Sequence, residues 1–214
     1  MKLVLAFHGT RSTTGIAVCS EIADLVRAHV DVPVVVAYAD VLQPDVRSVV
    51  DGPCVVVPVF LAAGYHVRVD IPEQIGPRGD VVLTPPLGLD AVPAVRDRLR
   101  EAGFRRGDAV VLAAAGSSDT RALAAVRAAA GMLGAEAVGY VATASPRIAD
   151  VVAAVRGRRR VVVASWLLAP GAFHSVLQGC GADLVSPPVG AHPLVVEALV
   201  RRYFEARAGV VRSA

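Results

Sequence analysis

Hydrophobic side chains make up 54% of the 214 residues, enough to bury a sizeable core in one large domain or two small ones. A net charge of +3 and an aromatic content of 5% offer little to nucleic acid, and no apolar block reaches the roughly 18 residues that span a bilayer. Three scattered cysteines, Cys19, Cys54 and Cys180, suit neither a zinc cage nor a disulfide framework and read as small buried hydrophobes.

The chain opens on an apolar run, Lys2–Phe7, that is too short for a signal-peptide core and ends in His8-Gly9 rather than a cleavage site. It reads as the first strand of a cytoplasmic protein. A helix follows over Thr13–His29, then a strand over Pro33–Tyr38 and a short helix near Asp45–Val50. The β-branched run Cys54–Phe60 has no alternating polar face, as expected of a strand covered on both sides. It breaks at Ala62-Ala63-Gly64, where the backbone can turn sharply and let a ligand approach, and a helix starts near His66. Strand Asp80–Leu83 leads through Thr84-Pro85-Pro86-Leu87-Gly88 to helix Asp90–Ala102. Strands alternating with helices predict parallel sheets with right-handed crossovers.

The pattern then repeats. Leu112–Asp119 echoes Leu5–Ser12, 107 residues on; Val161–Gly171 echoes Val55–Gly64; Ser186-Pro187-Pro188-Val189-Gly190 echoes Thr84–Gly88. Each half closes with an amphipathic helix, Asp90–Ala102 and His192–Ala206. Three blocks in the same order predict an internal duplication. The expected halves are residues 1–104, carrying the site, and 105–214, serving as scaffold and cleft wall, related by a pseudo-two-fold axis. Ala115 stands at the place of His8, and the loop matching the one before His66 reads Ala169–His174, so one histidine of the pair is expected to survive there. Arg158-Arg159-Arg160 reads as a solvated loop before a strand.

The residues suited to chemistry lie in the first half. His8 and His66 both follow strands, at the carboxyl edge where open α/β sheets bind ligands. If their strands are neighbours, the imidazoles converge on a weak, open site for a divalent ion, since a structural site takes four ligands. The alternative is a pair of unrelated strand-end histidines that cap turns. Asp40 follows the second strand and suits either proton transfer and metal ligation or turn capping before Pro44. Arg11, Ser12, Thr13 and Thr14 lead into a helix N-terminus, a place for an anion or an ordinary N-cap. Arg68 follows His66 by two residues, and Asp70 either orients an imidazole or sits on a surface helix. No GxGxxG, P-loop or GxSxG is present, and Phe7 stands where a histidine phosphatase carries its phosphate-binding arginine.

Three stretches, His8-Gly9-Thr10-Arg11, Val57 through Pro72, and Pro85-Pro86-Leu87-Gly88, resemble the CbiX/SirB sirohydrochlorin chelatases, and the similarity covers nearly the whole chain. The resemblance implies a class II chelatase fold of two Rossmann-like α/β halves with a cleft between them. It implies insertion of Co2+ or Fe2+ into sirohydrochlorin, toward sirohaem or cobalamin, with the metal as a substrate and no permanent cofactor. His8 and His66 match the family's paired metal-binding histidines. Asp40 corresponds to an acidic residue that is often glutamate there, a shorter side chain in this sequence. Arg11, Ser12, Gly64, Tyr65 and Arg68 are expected to meet the macrocycle and its carboxylates. A monomer or a homodimer fits equally, with neither nucleic acid nor membrane as partner. A non-catalytic metal or tetrapyrrole carrier would use the same pocket.

Overall fold

The computed structural model describes residues 1–213, with side chains to residue 209. It contains two four-stranded sheets, all pairings parallel. In chain order the first half runs β1 (Lys2–Phe7), α1 (Thr13–Arg27), β2 (Val34–Tyr38), α2 (Val46–Val49) and β3 (Cys54–Pro58). After a π-helical turn at His66–Asp70 come α3 (Ile71–Ile75), β4 (Val81–Leu83), a 3-10 turn at Gly88–Ala91 and α4 (Val92–Glu101). The second half runs β5 (Ala109–Ala114), α5 (Thr120–Leu133), β6 (Ala137–Tyr140), α6 (Ile148–Val155) and β7 (Val161–Trp166). It ends with α7 (Ala172–Gln178), β8 (Leu184–Val185) and α8 (Pro193–Ser213). The sheet orders are β2-β1-β3-β4 and β6-β5-β7-β8, the same topology twice, as the duplication predicts.

The central strands behave as their composition demands. Leu3–Phe7 and Cys54–Val57 are buried along their whole length, so both faces of β1 and β3 are covered. Helices supply the cover through apolar stripes: α1 buries Cys19, Ile22, Ala23 and Val26. Strand β3 stops at Pro58, two residues earlier than expected. Pro58 and Val59 remain buried; the Val59 amide donates to the Ala6 carbonyl at 2.8 Å, and the Pro58 and Phe60 carbonyls accept from the Leu87 and Gly88 amides at 3.1 and 2.9 Å.

The compact units do not follow the cut between residues 104 and 105. One unit is Met1–Gly88 together with the chain from Ala191 on, and the other is Leu89–Gly190. The helix that closes each repeat packs on the sheet of the other repeat. Helix α8 lies against β3 and α1, and α4 lies against β7 and α5. Arginines pin the exchange at equivalent turns. Arg202 of α8 donates to the Leu87 carbonyl at 3.2 Å, and Arg98 of α4 donates to the Val189 carbonyl at 3.0 Å. The Tyr203 hydroxyl adds a bond to the Met1 carbonyl at 3.2 Å.

The Arg158–Arg160 run is not a free basic patch. Arg159 forms a two-pronged pair with Glu136, and Arg160 reaches Asp108 and the Gly103 carbonyl. Among the described residues no helix is long and apolar enough to cross a membrane.

The turn after β1 has no room for a side chain. Gly9 has φ +98°, and a Cβ there would lie 2.1 Å from the Asp40 carbonyl oxygen. Gly116 repeats this at φ +101°, 1.9 Å from the Ala142 carbonyl. Gly9→Ala is expected to cost about 2 kcal/mol or more in urea denaturation, because the backbone itself must move. Gly79→Ala, with nothing within 4 Å, should stay within about 0.5 kcal/mol.

All three cysteines are buried free thiols, as expected. Burial pushes the Cys19 thiol up from 9.0 to about 11, only partly offset by a backbone hydrogen bond. The unfolded chain ionises this thiol near pH 9 while the folded protein keeps its proton. Stability is therefore intact below that pH and falls as the pH rises toward 11, by less than about 3 kcal/mol for this group. Urea titrations at pH 8, 9 and 10 should show the decline, and Cys19→Ala should lose its share of the slope.

Candidate metal centre

The pairing of β1 with β3 places the centre. Ala6 lies opposite Pro58, so the two strands end side by side. Strand β1 has β2 on its other flank, which makes its carboxyl end the point where the connections diverge, the place where open sheets bind ligands. His8 is the first residue past β1, and His66 opens the π-helical turn after β3.

The two imidazoles meet. Their ring centroids are 4.4 Å apart and the planes cross at 81°. The Phe60 ring backs both, at 6.2 Å from His8 and 6.5 Å from His66. His8 is exposed and the His66 side chain is 29% accessible, so the pair can be reached from solvent. Imidazole nitrogens bind first-row metals at about 2.0–2.1 Å, and rings this close can share one ion.

Hydrogen bonds choose which nitrogen is offered. His8 Nδ1 lies 3.0 Å from the Gly9 carbonyl, which can only accept, so Nδ1 carries the proton. His66 Nδ1 donates to Asp70 Oδ2 in a close contact. With Nδ1 so engaged, Nε2 is the nitrogen left to face a ligand in each ring. Asp70 was among the residues the sequence left with two readings; the structure puts it on the imidazole.

Asp40 is placed by the backbone. Its amide donates to the His8 carbonyl at 3.0 Å, extending the β1–β2 ladder by one step. The exposed carboxylate accepts from the Val41 amide at 2.7 Å, the turn-capping arrangement. Among the described residues no group of three or more His, Cys, Asp or Glu side chains is gathered to hold a metal ion. The centre is two imidazoles with open positions. Gln74 supports it from below: its amide donates to the Ala39 carbonyl at 2.8 Å and accepts from the Val46 amide at 2.9 Å, fastening the Asp40 loop to α3. Nothing in local sequence pairs Gln74 with residues about 30 positions away, so this clamp was not foreseen.

The remaining expected residues surround the histidines unevenly. Tyr65 is 59% exposed, with its ring 6.2 Å from that of His66. The Gly64 carbonyl starts the turn, accepting from the Arg68 amide at 3.1 Å. Ser12 is the N-cap of α1: its hydroxyl accepts from the Gly15 amide at 3.3 Å and shares a 2.8 Å bond with Thr14. Arg11 and Arg68 are exposed.

The second half keeps the frame and lacks the chemistry. The Ala142 amide donates to the Ala115 carbonyl at 2.8 Å, as Asp40 does to His8, so Ala115 and Ala142 hold the places of His8 and Asp40. The Ser175 amide bonds to the Gly171 carbonyl as Arg68 does to Gly64, which puts Phe173, not His174, at the place of His66. His174 is one step further round and donates Nε2–H to the Ser186 carbonyl at 3.2 Å.

Comparison with known proteins gives the family and the fold. The chain is 30% identical over 130 residues to the sirohydrochlorin cobaltochelatase of Methanothermobacter thermautotrophicus, covering 47% of this chain and 91% of that protein. SirB from Bacillus subtilis with Fe3+ has the same fold, with a TM-score of 0.82 at 21% identity over 98% of this chain and 96% of that one. The sirohydrochlorin chelatase SirB from Bacillus subtilis subspecies spizizenii in complex with cobalt follows at 0.77 and 21% identity, over 97% and 95% of the two chains. The CbiX family model matches residues 2–102 and 109–206, both repeats in turn, and this chain belongs to the CbiX family.

Proposed function

We propose that this protein is a sirohydrochlorin chelatase that inserts Co2+ or Fe2+ into the free macrocycle, in sirohaem or cobalamin biosynthesis. The observation that carries the reading is the 4.4 Å meeting of His8 and His66, each with Nδ1 engaged and Nε2 left to bind. An ion held by two imidazoles keeps positions open, so pyrrole nitrogens can displace water from it before the histidines let go. In the net reaction the macrocycle gains the divalent ion and loses two N–H protons. Those protons need acceptors at the site; we assign that role to the histidines, once the ion has left them, and to the carboxylate of Asp40, whose amide bonds to the His8 carbonyl.

Substrate contacts follow from chemistry. Sirohydrochlorin carries many carboxylates, which suit Arg11, Arg68 and the N-terminus of α1 at Ser12. The exposed Tyr65 ring offers a flat apolar face next to His66, and Gly64 leaves the backbone open to a close approach. The metal is a substrate, and the reaction needs no resident cofactor. We place it in the cytoplasm, where free thiols such as Cys19, Cys54 and Cys180 persist.

Absorbance of sirohydrochlorin with Co2+ or Fe2+ and sub-stoichiometric protein tests the reading. Turnover past one equivalent is expected; binding that stops at one equivalent would make the protein a carrier. His8→Ala and His66→Ala should each cut the rate at least about 100-fold while the urea midpoint stays near that of the parent, since both rings touch solvent. His174→Ala should keep most of the activity, because its ring is committed to the Ser186 carbonyl.

A further inference from the structure

The two repeats differ in length beside the centre: Gly64 to Thr84 is 20 residues and Gly171 to Ser186 is 15. From Gly64, the start of the first turn, to Ile71, a core residue with no exposure, is seven residues. From Gly171 to Leu177, equally buried in the other unit, is six. In this part of the first repeat one additional residue is taken up as the π-helical turn His66–Asp70, closed by the Ile71 amide on the His66 carbonyl, five residues back. The second repeat has an ordinary α-helix there, α7. Single-residue insertions of this kind widen a helix locally and collect at functional sites. Pro72, which has no amide to give, follows directly.

The extra length coincides with a change in chemistry. In the first repeat the turn carries His66 and Asp70, bonded to one another. In the second it carries Phe173 and no acidic residue. Asp70 is 22% accessible at its side chain, and it sits immediately before the core residue Ile71. A carboxylate so placed is costly without a partner, and its partner is the Nδ1 of His66.

We infer that Asp70 is the positioning residue of the metal centre: the inserted turn mounts its carboxylate on Nδ1 of His66, and this fixes the ring so that Nε2 faces the ion. The inference rests on the reading of His66 as a metal ligand. A carboxylate behind a ligating imidazole fixes its tautomer and orientation and raises its basicity, and losing it commonly costs 10–100-fold in metal affinity.

Calorimetric titration with Co2+ alone, at one fixed pH and without macrocycle, measures the effect. Asp70→Ala is expected to weaken binding 10–100-fold. Asp70→Asn, whose amide oxygen still accepts a hydrogen bond, is expected to lose less. The double variant Asp70→Ala/His66→Ala should bind no more weakly than His66→Ala alone, because Asp70 acts only through that ring. Imidazole 15N shifts of the metal-free protein should show protonated Nδ1 at His66 in the parent and in Asp70→Asn, and a mixed pattern in Asp70→Ala. Parental affinity and an unchanged 15N pattern in Asp70→Ala overturn the inference. If that variant does not fold, parental affinity in Asp70→Asn overturns it. Co2+ binding that His66→Ala fails to weaken removes the ligand reading as well. Weakened binding in a protein without turnover would instead overturn only the chelatase reading.

Discussion

Everything in the centre depends on one pairing, β1 against β3 in parallel with Ala6 opposite Pro58. Parallel strands end on the same edge, so whatever follows them is presented together. His8 follows β1 directly. His66 arrives after a loop of small residues whose only bulky members, Phe60, Leu61 and Tyr65, pack against the site or the core or stand in solvent. The flank is fixed too, because β2 occupies the other side of β1 and its ladder continues to the Asp40 amide. A one-residue slip in either pairing would turn one imidazole to the opposite face of the sheet. With apolar residues on both faces of β1 and β3 the hydrophobic pattern alone does not choose the register; the strand ends do, through the Val59 amide on the Ala6 carbonyl and Gly9 against the Asp40 carbonyl.

The duplication separates frame from chemistry. Both repeats keep the glycine whose Cβ would strike a carbonyl two strands' ends away, Gly9 on Asp40 and Gly116 on Ala142. Both keep a left-handed β-branched residue next in the chain, Val41 at φ 70° and Thr143 at φ 57°. Such a conformation is an outlier for these side chains, and strain of this sort invites a functional explanation. Its presence in the repeat that has Ala115 and Ala142 argues otherwise: the strain belongs to the turn. What only the first repeat possesses is His8, Asp40, His66, Asp70 and the widened turn. Those are the features that the fold alone does not require.

Much of this was legible in sequence because it is local. Strands written as unbroken β-branched runs, a small-residue loop, and a histidine directly after one strand and another beyond the loop that follows a second are short-range patterns, and each survives in the structure. The His66-to-Asp70 spacing of four residues also carried a signal, since residues four apart in a helical turn are neighbours. What was not legible depends on address. An amphipathic helix states that it has an apolar stripe, and nothing in Val195, Val196, Leu199 and Tyr203 says which sheet they will cover. The place of His174 was misread by one position because the loops were matched by their histidines, which are 108 residues apart, whereas the glycines whose carbonyls start the two turns are 107 apart. Gln74 was missed because a polar side chain that satisfies two distant backbone groups has no periodicity at all.

The helix exchange bears on why two repeats share one chain. The repeat seen in sequence and the unit seen in space are different objects. A chain holding only the first repeat would carry α4 with its buried face of Val92, Val95 and Leu99 and no sheet to receive it. It would also leave β3 and α1 without α8, and the Leu87 carbonyl without Arg202. Burying a Leu or Val is worth roughly 1.5–3 kcal/mol each, so the uncovered face would cost a large share of a domain's usual stability of about 5–15 kcal/mol. Covalent linkage supplies each sheet with its helix at an effective concentration no dilution can reach. It also frees one copy from chemistry. Once both units are completed by exchange, the second can carry alanine at the places of His8 and Asp40 and still be required, because α8, which completes the unit with the histidine pair, is reached only through it.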